Sequence, residues 1–372
     1  MNDIQKKQKK KPKYCIGVDV FSGSGGLSLG AEMAGIDVRY AVEVWPSAAL
    51  TYKRNHPNSV VFNKDINEID PKTEIGKDGK QIFIIMGGPP CQGFSMSNQR
   101  REENGRTMDN PKNLLFKQFV RFVEQLQPDW FLFENVEGII NMEKGATIKM
   151  IAQSFRDLGY RISEPTILWA NDFGVPQKRN RCFIVGNKVG IDFSFPEPTG
   201  ELVTVSDAID DLPTLKSGDN IPELPYRLSI EQCSSYAKSM RRNTKKSLQN
   251  QVSQNNDLVI KRYSYIPQGG NWRSIPEELM TNYKDKDRCH SGIYKRLRAD
   301  APSVVISNYR KMMLIHPTQD RGLSVREAAR LQSFPDDFYF EGPISHIQQQ
   351  IGNAVPPLLA KAIIEKILSY YD

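Results

Sequence analysis

Asp19-Val-Phe-Ser-Gly-Ser-Gly-Gly-Leu-Ser28 follows an apolar run that starts at Cys15, and together they read as strand, glycine turn and helix. That order turns backbone N–H groups at a helix N-terminus toward a ligand and describes a nucleotide-type cofactor site on an α/β sheet. As a dinucleotide fingerprint it is incomplete, because Gly23-x-Gly25 is followed at the third position by Ser28 rather than glycine. A second strand and turn appear in Met86-Gly-Gly-Pro-Pro-Cys-Gln-Gly-Phe-Ser-Met-Ser97, after the apolar residues 82–85. Two glycines there admit a ligand close to the backbone, two prolines fix φ, and Cys91 stands where a thiol can act as nucleophile. The plain alternative for either segment is a turn that only packs a helix on a strand.

Around these segments short apolar runs alternate with amphipathic stretches, the mark of a mostly parallel sheet with crossover helices. Strands are predicted at 15–21, 40–44, 82–86, 130–134, 162–169 and 182–186, and helices at 25–34, 46–55, 114–126 and 147–158. From about 191 to 322 the periodicity weakens and Pro, Gly and Asn dominate, too long a stretch for one loop and better read as a second, loop-rich domain. Ser324-Val-Arg-Glu327 then has capping-box spacing and opens a helix that must stop before Pro335, and a final helix covers 357–368. The expected division is a disordered basic arm 1–13, a catalytic and cofactor-binding domain 14–190, a second domain 191–322, and a segment 323–372 returning to the first.

The 372-residue chain is long enough for two such domains, and its formal charge of +7 favours a polyanionic partner. Much of that excess is the lysine-rich stretch before Lys13, which lacks the apolar core of a secretory signal. No apolar stretch approaches the about 20 residues that span a bilayer, so no membrane is expected and the cytoplasm is. The five cysteines are scattered without a Cys-x-x-Cys pair, which argues against structural zinc, any other metal and a disulfide framework.

Three further places carry chemistry. Glu43 ends the second strand, where a carboxylate can accept both hydroxyls of a ribose; Trp45 can cover a purine face, and Asp65, followed by Ile66, can accept from an exocyclic adenine amine. Phe133-Glu-Asn-Val136 sets Glu134 and Asn135 at another strand end, where burial can raise a carboxyl pKa enough for proton donation. Pro176-Gln-Lys-Arg-Asn-Arg-Cys182 leads into a strand, and period two sends Gln177, Arg179 and Arg181 to one side, suited to phosphate or a carbonyl oxygen.

Taken together, these blocks resemble the DNA (cytosine-5) methyltransferase family of bacterial type, in family order over nearly the whole chain. Phe21-Ser-Gly-Ser-Gly-Gly26 looks like its S-adenosyl-L-methionine loop, Pro89-Pro-Cys-Gln92 like its nucleophile motif, and Glu134-Asn-Val136 and Gln177-Lys-Arg-Asn-Arg181 like its base- and phosphate-contacting motifs. The stretch 324–335 with Gln350-Ile-Gly-Asn-Ala-Val-Pro356 is similar to its closing block. The resemblance implies an α/β fold, with a Rossmann-like S-adenosylmethionine-dependent methyltransferase domain and a smaller target-recognition domain at 191–322. It implies a cofactor site of Phe21, Gly23, Gly25, Gly26, Leu27, Glu43, Val44, Trp45, Asp65, Ile66, Pro89, Asn353 and Val355. It implies that Cys91 attacks C6 of a flipped cytosine, that Glu134 protonates N3, that Arg181 holds O2, and that Arg179 and Asn135 support the target or the loop geometry. Gln92, Ser97, Arg100, Arg101 and Gln177 are the implied DNA contacts.

Within the loop-rich region, Lys238, Arg241, Arg242, Lys245 and Lys246 form one basic cluster. Lys284, Lys286, Arg288, Lys295, Arg296 and Arg298 form another, with Tyr263, Tyr265, Trp272, Tyr283 and Tyr294 interleaved. Such residues anchor phosphates and read base edges in the major groove. The expected partner is double-stranded DNA, with the protein acting as a monomer near the nucleoid, alone or beside a cognate restriction endonuclease. The alternatives are a tRNA-directed member of the same family, a catalytically inactive DNA-binding regulator, and a Rossmann oxidoreductase.

Overall fold

The computed structural model describes residues 15–90, 115–280 and 292–371, and the chain divides into two compact units. The first comprises Met1–Trp169, Asn180–Pro198 and Pro357–Asp372; the second comprises Ala170–Arg179 and Thr199–Pro356. The stretch 324–356 therefore sits in the second unit, and only the last helix belongs to the first. Cys91, Gln92, Ser97, Arg100, Arg101, the basic arm, and Tyr283, Lys284, Lys286 and Arg288 lie outside the described residues.

In the first unit the strands are β1 (Ile16–Val20), β2 (Asp37–Val42), β3 (Val60–Phe62), β4 (Ile84–Gly87), β5 (Trp130–Asn135), β6 (Arg161–Ile162), β7 (Thr166–Trp169) and β8 (Asn180–Asn187). They form one sheet in the order β3-β2-β1-β4-β5-β8-β6, with β7 also pairing β8. The pairs among β1 to β5 are parallel and those made by β8 are antiparallel, which is the mostly parallel α/β sheet expected. All five residues of β1 are buried, as strands covered on both faces must be. The predicted strand 162–169 is two strands, because Pro165 lacks a ladder donor and Ser163 instead bonds Val185 on its own.

The chain runs from β1 out to β3 and then returns to β4 on the other side of β1, so a topological switch point falls between β1 and β4. Ligands bind outside the carboxyl ends of strands at such a point. The two informative turns leave these neighbouring strands at paired positions, Val20 and Gly87. A Cβ at Gly87 would lie 2.0 Å from the Val20 carbonyl oxygen, so glycine lets the two strands end side by side.

Helices cover both faces. Helix α1 (Gly26–Met33) packs on the terminal helix Pro357–Leu368, and Gly30 allows it: a Cβ there would lie 2.4 Å from the Pro357 carbonyl. Helix α2 (Pro46–Asn55) starts at Pro46, whose missing N–H costs nothing at the first helical position. Helix α3 (Phe116–Leu126) presses Phe119 edge-on against Phe133 and Phe155 in the core.

The second unit is loop-rich, with one antiparallel pair, Asn220–Pro225 and Lys246–Gln251, and short helices. Ser324 and Glu327 form the expected capping box, and that helix ends at Leu331, before Pro335. Much of its interior is ionic: Arg330 is fully buried between Asp211 and Asp336. No described helix is long and apolar enough to cross a membrane.

Candidate active site

The β1 turn is shaped by backbone conformation. Phe21, Gly23 and Gly25 have φ of 61°, 56° and 95°, and α1 begins immediately after them. The first N–H groups of a helix have no intrahelical acceptor, and that of Ser28, the third residue of α1, bonds the Asp19 carboxyl instead. A Cβ on Gly25 would lie 2.4 Å from His56 Nε2, and His56 in turn is fixed by Glu32 at 2.9 Å. Leu27 is buried beneath.

Glu43, just past β2, has a second task that its strand-end position did not reveal. Its two carboxylate oxygens accept from the backbone N–H of Gly23 and of Trp45, each at 2.7 Å, so it ties the glycine turn to the next strand. Burial pushes its pKa up, against those backbone donors. The Val44 N–H bonds this carboxylate as well, so of its about four acceptor sites one is left for a ribose hydroxyl. Asn63, missed in the sequence, steadies this corner by donating to the carbonyls of Glu43 and Val44. Val44 is 63% exposed and Trp45 half-buried, open to a planar ring. Asp65 is exposed and caps the turn Ile66–Glu68, with Ile66 buried below it.

Asp19 is the buried surprise of this region. Its Oδ2 accepts from Ser28 Oγ at 2.6 Å, Ser28 Oγ meets Tyr52 Oη at 2.6 Å, and Oδ1 has no hydrogen-bond partner among the described residues. Burial pushes the Asp19 carboxyl up to about 7, eased by Ser28 and reinforced by Glu43 and Glu32. Between about pH 4 and 7 an unfolded chain ionises this group while the folded chain keeps its proton. Folding therefore loses stability as pH rises through that window, by on the order of 4 kcal/mol. Thermal unfolding of the cofactor-free protein should show a smaller loss between pH 5 and 8 for Asp19→Asn than for wild type; equal losses would clear Asp19 of this cost.

Across the switch point, Glu134 closes β5 and is 8% exposed. Arg181, second residue of β8, places Nε 2.8 Å from its Oε1. Burial lowers the Arg181 pKa while Glu134 holds it up. Gly88 makes the pair possible, because a Cβ there would lie 2.2 Å from Glu134 Oε2. Asn135 donates to the Pro89 carbonyl at 3.1 Å and so fixes the Pro-Pro turn leading to Cys91. Pro89 is buried. The neighbouring Cys182 is no rival nucleophile: burial, with Glu134 nearby, pushes its thiol up to about 12.

Other predicted residues belong to the second unit. β8 begins only at Asn180, so Gln177 and Arg179 do not share a strand face with Arg181. Gln177, expected at DNA, is fully buried and spends its amide on the Leu331 carbonyl, Gln332 and the Ile306 N–H. Arg179, also buried, donates to the carbonyls of Ile306 and Gly352, which makes it a bracket of the second unit. In that same unit Asn353 is exposed and bonded to Gln349, and Val355 is buried. The basic clusters are similarly divided. Arg241 is buried on Asp211 and over the Tyr226 ring, and Arg296 holds the carbonyls of Ile266, Tyr263 and His316. Tyr263 and Tyr294 are core residues, whereas Lys238, Arg242, Lys245, Lys246 and Tyr265 are exposed.

The sheet order and its two adjoining turns place the chain in the class of Rossmann-like, S-adenosylmethionine-dependent methyltransferases. More narrowly, the chain belongs to the C-5 cytosine-specific DNA methylase family, whose family model matches residues 16–369. It is 38% identical over 361 residues to Type II methyltransferase M1.HphI of Haemophilus parahaemolyticus, covering 95% of this chain and 88% of that protein. It is 32% identical over 378 residues to Type II methyltransferase M.DdeI of Desulfomicrobium norvegicum, covering 95% and 89%. A solved Escherichia coli structure described as a prophage-encoded DNA modification methyltransferase superposes with a TM-score of 0.78 at 29% identity, covering 95% of this chain and 99% of that one.

The cofactor of this class fits the residues present. The positive-φ turn before α1 offers a helix N-terminus to a carboxylate, Glu43 keeps an acceptor site for a ribose, Trp45 is half-buried, and Asp65 is exposed beside the buried Ile66.

Proposed function

We propose that this protein transfers a methyl group from S-adenosylmethionine to C5 of a cytosine within a short recurrent sequence of double-stranded DNA. The observation that carries the reading is the Glu134–Arg181 pair, 2.8 Å apart beside a glycine that cannot be larger, at the strand edge that also carries the glycine turn. An acid next to a guanidinium suits N3 and O2 of a cytosine, which must leave the duplex stack to reach them, at a cost of about a few kcal/mol.

Cytosine C5 is a poor nucleophile. The Cys91 thiolate adds to C6, and Glu134 gives its proton to N3, which makes C5 an enamine carbon. Bound S-adenosylmethionine supplies the electrophilic methyl that this carbon takes. Loss of the C5 proton, return of the N3 proton to Glu134 and cleavage of the sulfur–C6 bond then restore the aromatic ring, the acid and the free thiolate. Arg181 holds O2 and offsets the charge that Glu134 acquires on giving up its proton, while Asn135 keeps the Pro89-Pro90 turn in register. Among the cofactor residues, Gly23, Gly25, Gly26, Leu27 and Phe21 border the methionyl half, Glu43 the ribose, and Val44, Trp45, Asp65 and Ile66 the adenine.

The loop-rich second unit would read the target, with its exposed lysines and arginines on phosphates. The Type II naming of the relatives favours this reading over a tRNA-directed or inactive one, and the protein would act as a monomer on cytoplasmic, nucleoid DNA, alone or beside a restriction endonuclease. Incubation with S-adenosylmethionine and unmethylated plasmid, with tRNA in parallel, should yield 5-methylcytosine at one recurrent duplex sequence when mapped at base resolution. Methylation confined to tRNA, or cofactor binding without methylation of either, would overturn the reading.

A further inference from the structure

The turn that bears Asp65 and Ile66 is a single 3₁₀ turn, Ile66–Glu68, and it holds itself weakly. Asp65 caps its start through the Asn67 N–H at 2.9 Å, but its closing bond, Ile69 N–H to the Ile66 carbonyl, is 3.4 Å long. So short a turn leaves its last carbonyls in need of donors from outside.

Arg121, from the middle of α3, supplies them. Its Nη2 donates to the Ile66 carbonyl at 2.7 Å and its Nη1 to the Ile69 carbonyl at 2.8 Å. Nε donates to Gln118 Oε1 at 2.6 Å, one helical turn back, which sets the rotation of the planar group. The guanidinium also lies 5.1 Å from the centroid of the Phe122 ring. All three edges of the fork are thus committed, and the fork spans two carbonyls that a point-like ammonium cannot reach together. The cation also faces the carbonyl end of a helical turn, the favourable pole for positive charge.

We infer that Arg121 is a positioning residue for cofactor selectivity, fixing the height of the Asp65–Ile66 turn against the adenine ring by gripping the Ile66 and Ile69 carbonyls. The inference rests on the proposal that Asp65 accepts from the adenine amine. Arg121 touches no ligand itself; it acts through the backbone of the turn.

The test uses the full chain and two thioether probes that cannot turn over, S-adenosylhomocysteine and S-inosylhomocysteine, which lacks the exocyclic amine. Calorimetry on wild type should show about a tenfold or greater preference for the adenosyl compound, the worth of one such hydrogen bond. Arg121→Met should reduce that preference to within about twofold, and Arg121→Lys, holding one carbonyl, should fall between. General loosening of the fold would weaken both probes alike and leave the ratio intact, which overturns the inference. Should Arg121→Met fail to fold, the lysine variant still reads the ratio. A preference lost in Asp65→Ala but kept in Arg121→Lys removes the role of Arg121 alone. No preference in wild type removes the adenine reading, and the inference with it.

Discussion

Glu134→Gln is expected to slow a single methylation turnover by roughly 10²–10⁴, the contribution of a positioned general acid. Glutamine keeps the size of the side chain, so the close approach of Gly88 and the turn it begins are undisturbed. What goes is the proton that N3 must receive as the Cys91 adduct forms, and with it the negative charge that Glu134 sets against Arg181 once that proton has been given. The Arg181 guanidinium would remain buried opposite a neutral amide, and that weakens its hold on a base oxygen as well. Cofactor affinity should stay within about threefold, because the glycine turn and Glu43 are bonded to each other and not to Glu134. Rapid-quench single turnovers on an unmethylated duplex, with calorimetry for S-adenosylhomocysteine, separate the two effects. An unchanged chemical rate would remove Glu134 as the acid.

The larger loss is expected for Cys91→Ala, with methylation falling by at least about 10⁴ and duplex binding largely kept. No other route makes C5 a carbon nucleophile: without addition at C6 the ring stays aromatic and the methyl group has no acceptor. Cys182, the cysteine near Glu134 among the described residues, cannot substitute, because its thiol is buried and pushed up to about 12. Methyl incorporation measured alongside a mobility-shift titration distinguishes lost chemistry from lost binding. Retained turnover would remove Cys91 from the mechanism, and loss of both would make it a binding residue.

The glycine turn, the start of α2 and the strand-end carboxylate were legible because their signals are local. Glycines that take positive φ, a proline that opens α2 and a carboxylate at a strand end act over a few residues, and each lies where the periodicity set it. The helices at 46–55 and 357–368 match their predicted bounds for the same reason. Asn63, Arg121 and Tyr52 went unnoticed because asparagine, arginine and tyrosine on amphipathic stretches look like ordinary surface or core. Their work is done on carbonyls and hydroxyls contributed by other elements.

The arginines show the limit most sharply. Arg241 and Arg296 read as nucleic-acid contacts by charge and neighbourhood, and Arg179 as a support of the target or of the loop geometry; each is buried as a bracket across distant backbone carbonyls or carboxylates. Arg181, two residues after Arg179, instead meets Glu134. A charged side chain is the same letter in either setting, and its fate depends on which segments enclose it. The order of strands, turns and helices, and with it the mostly parallel sheet and the cofactor turn, followed from the chain alone, because hydrophobic period and the φ preferences of glycine and proline are properties of neighbouring residues. Which acid meets which guanidinium, and which cations lie inside, was decided only when the sheet brought remote segments together, since burial and its desolvation cost exist only in the folded chain.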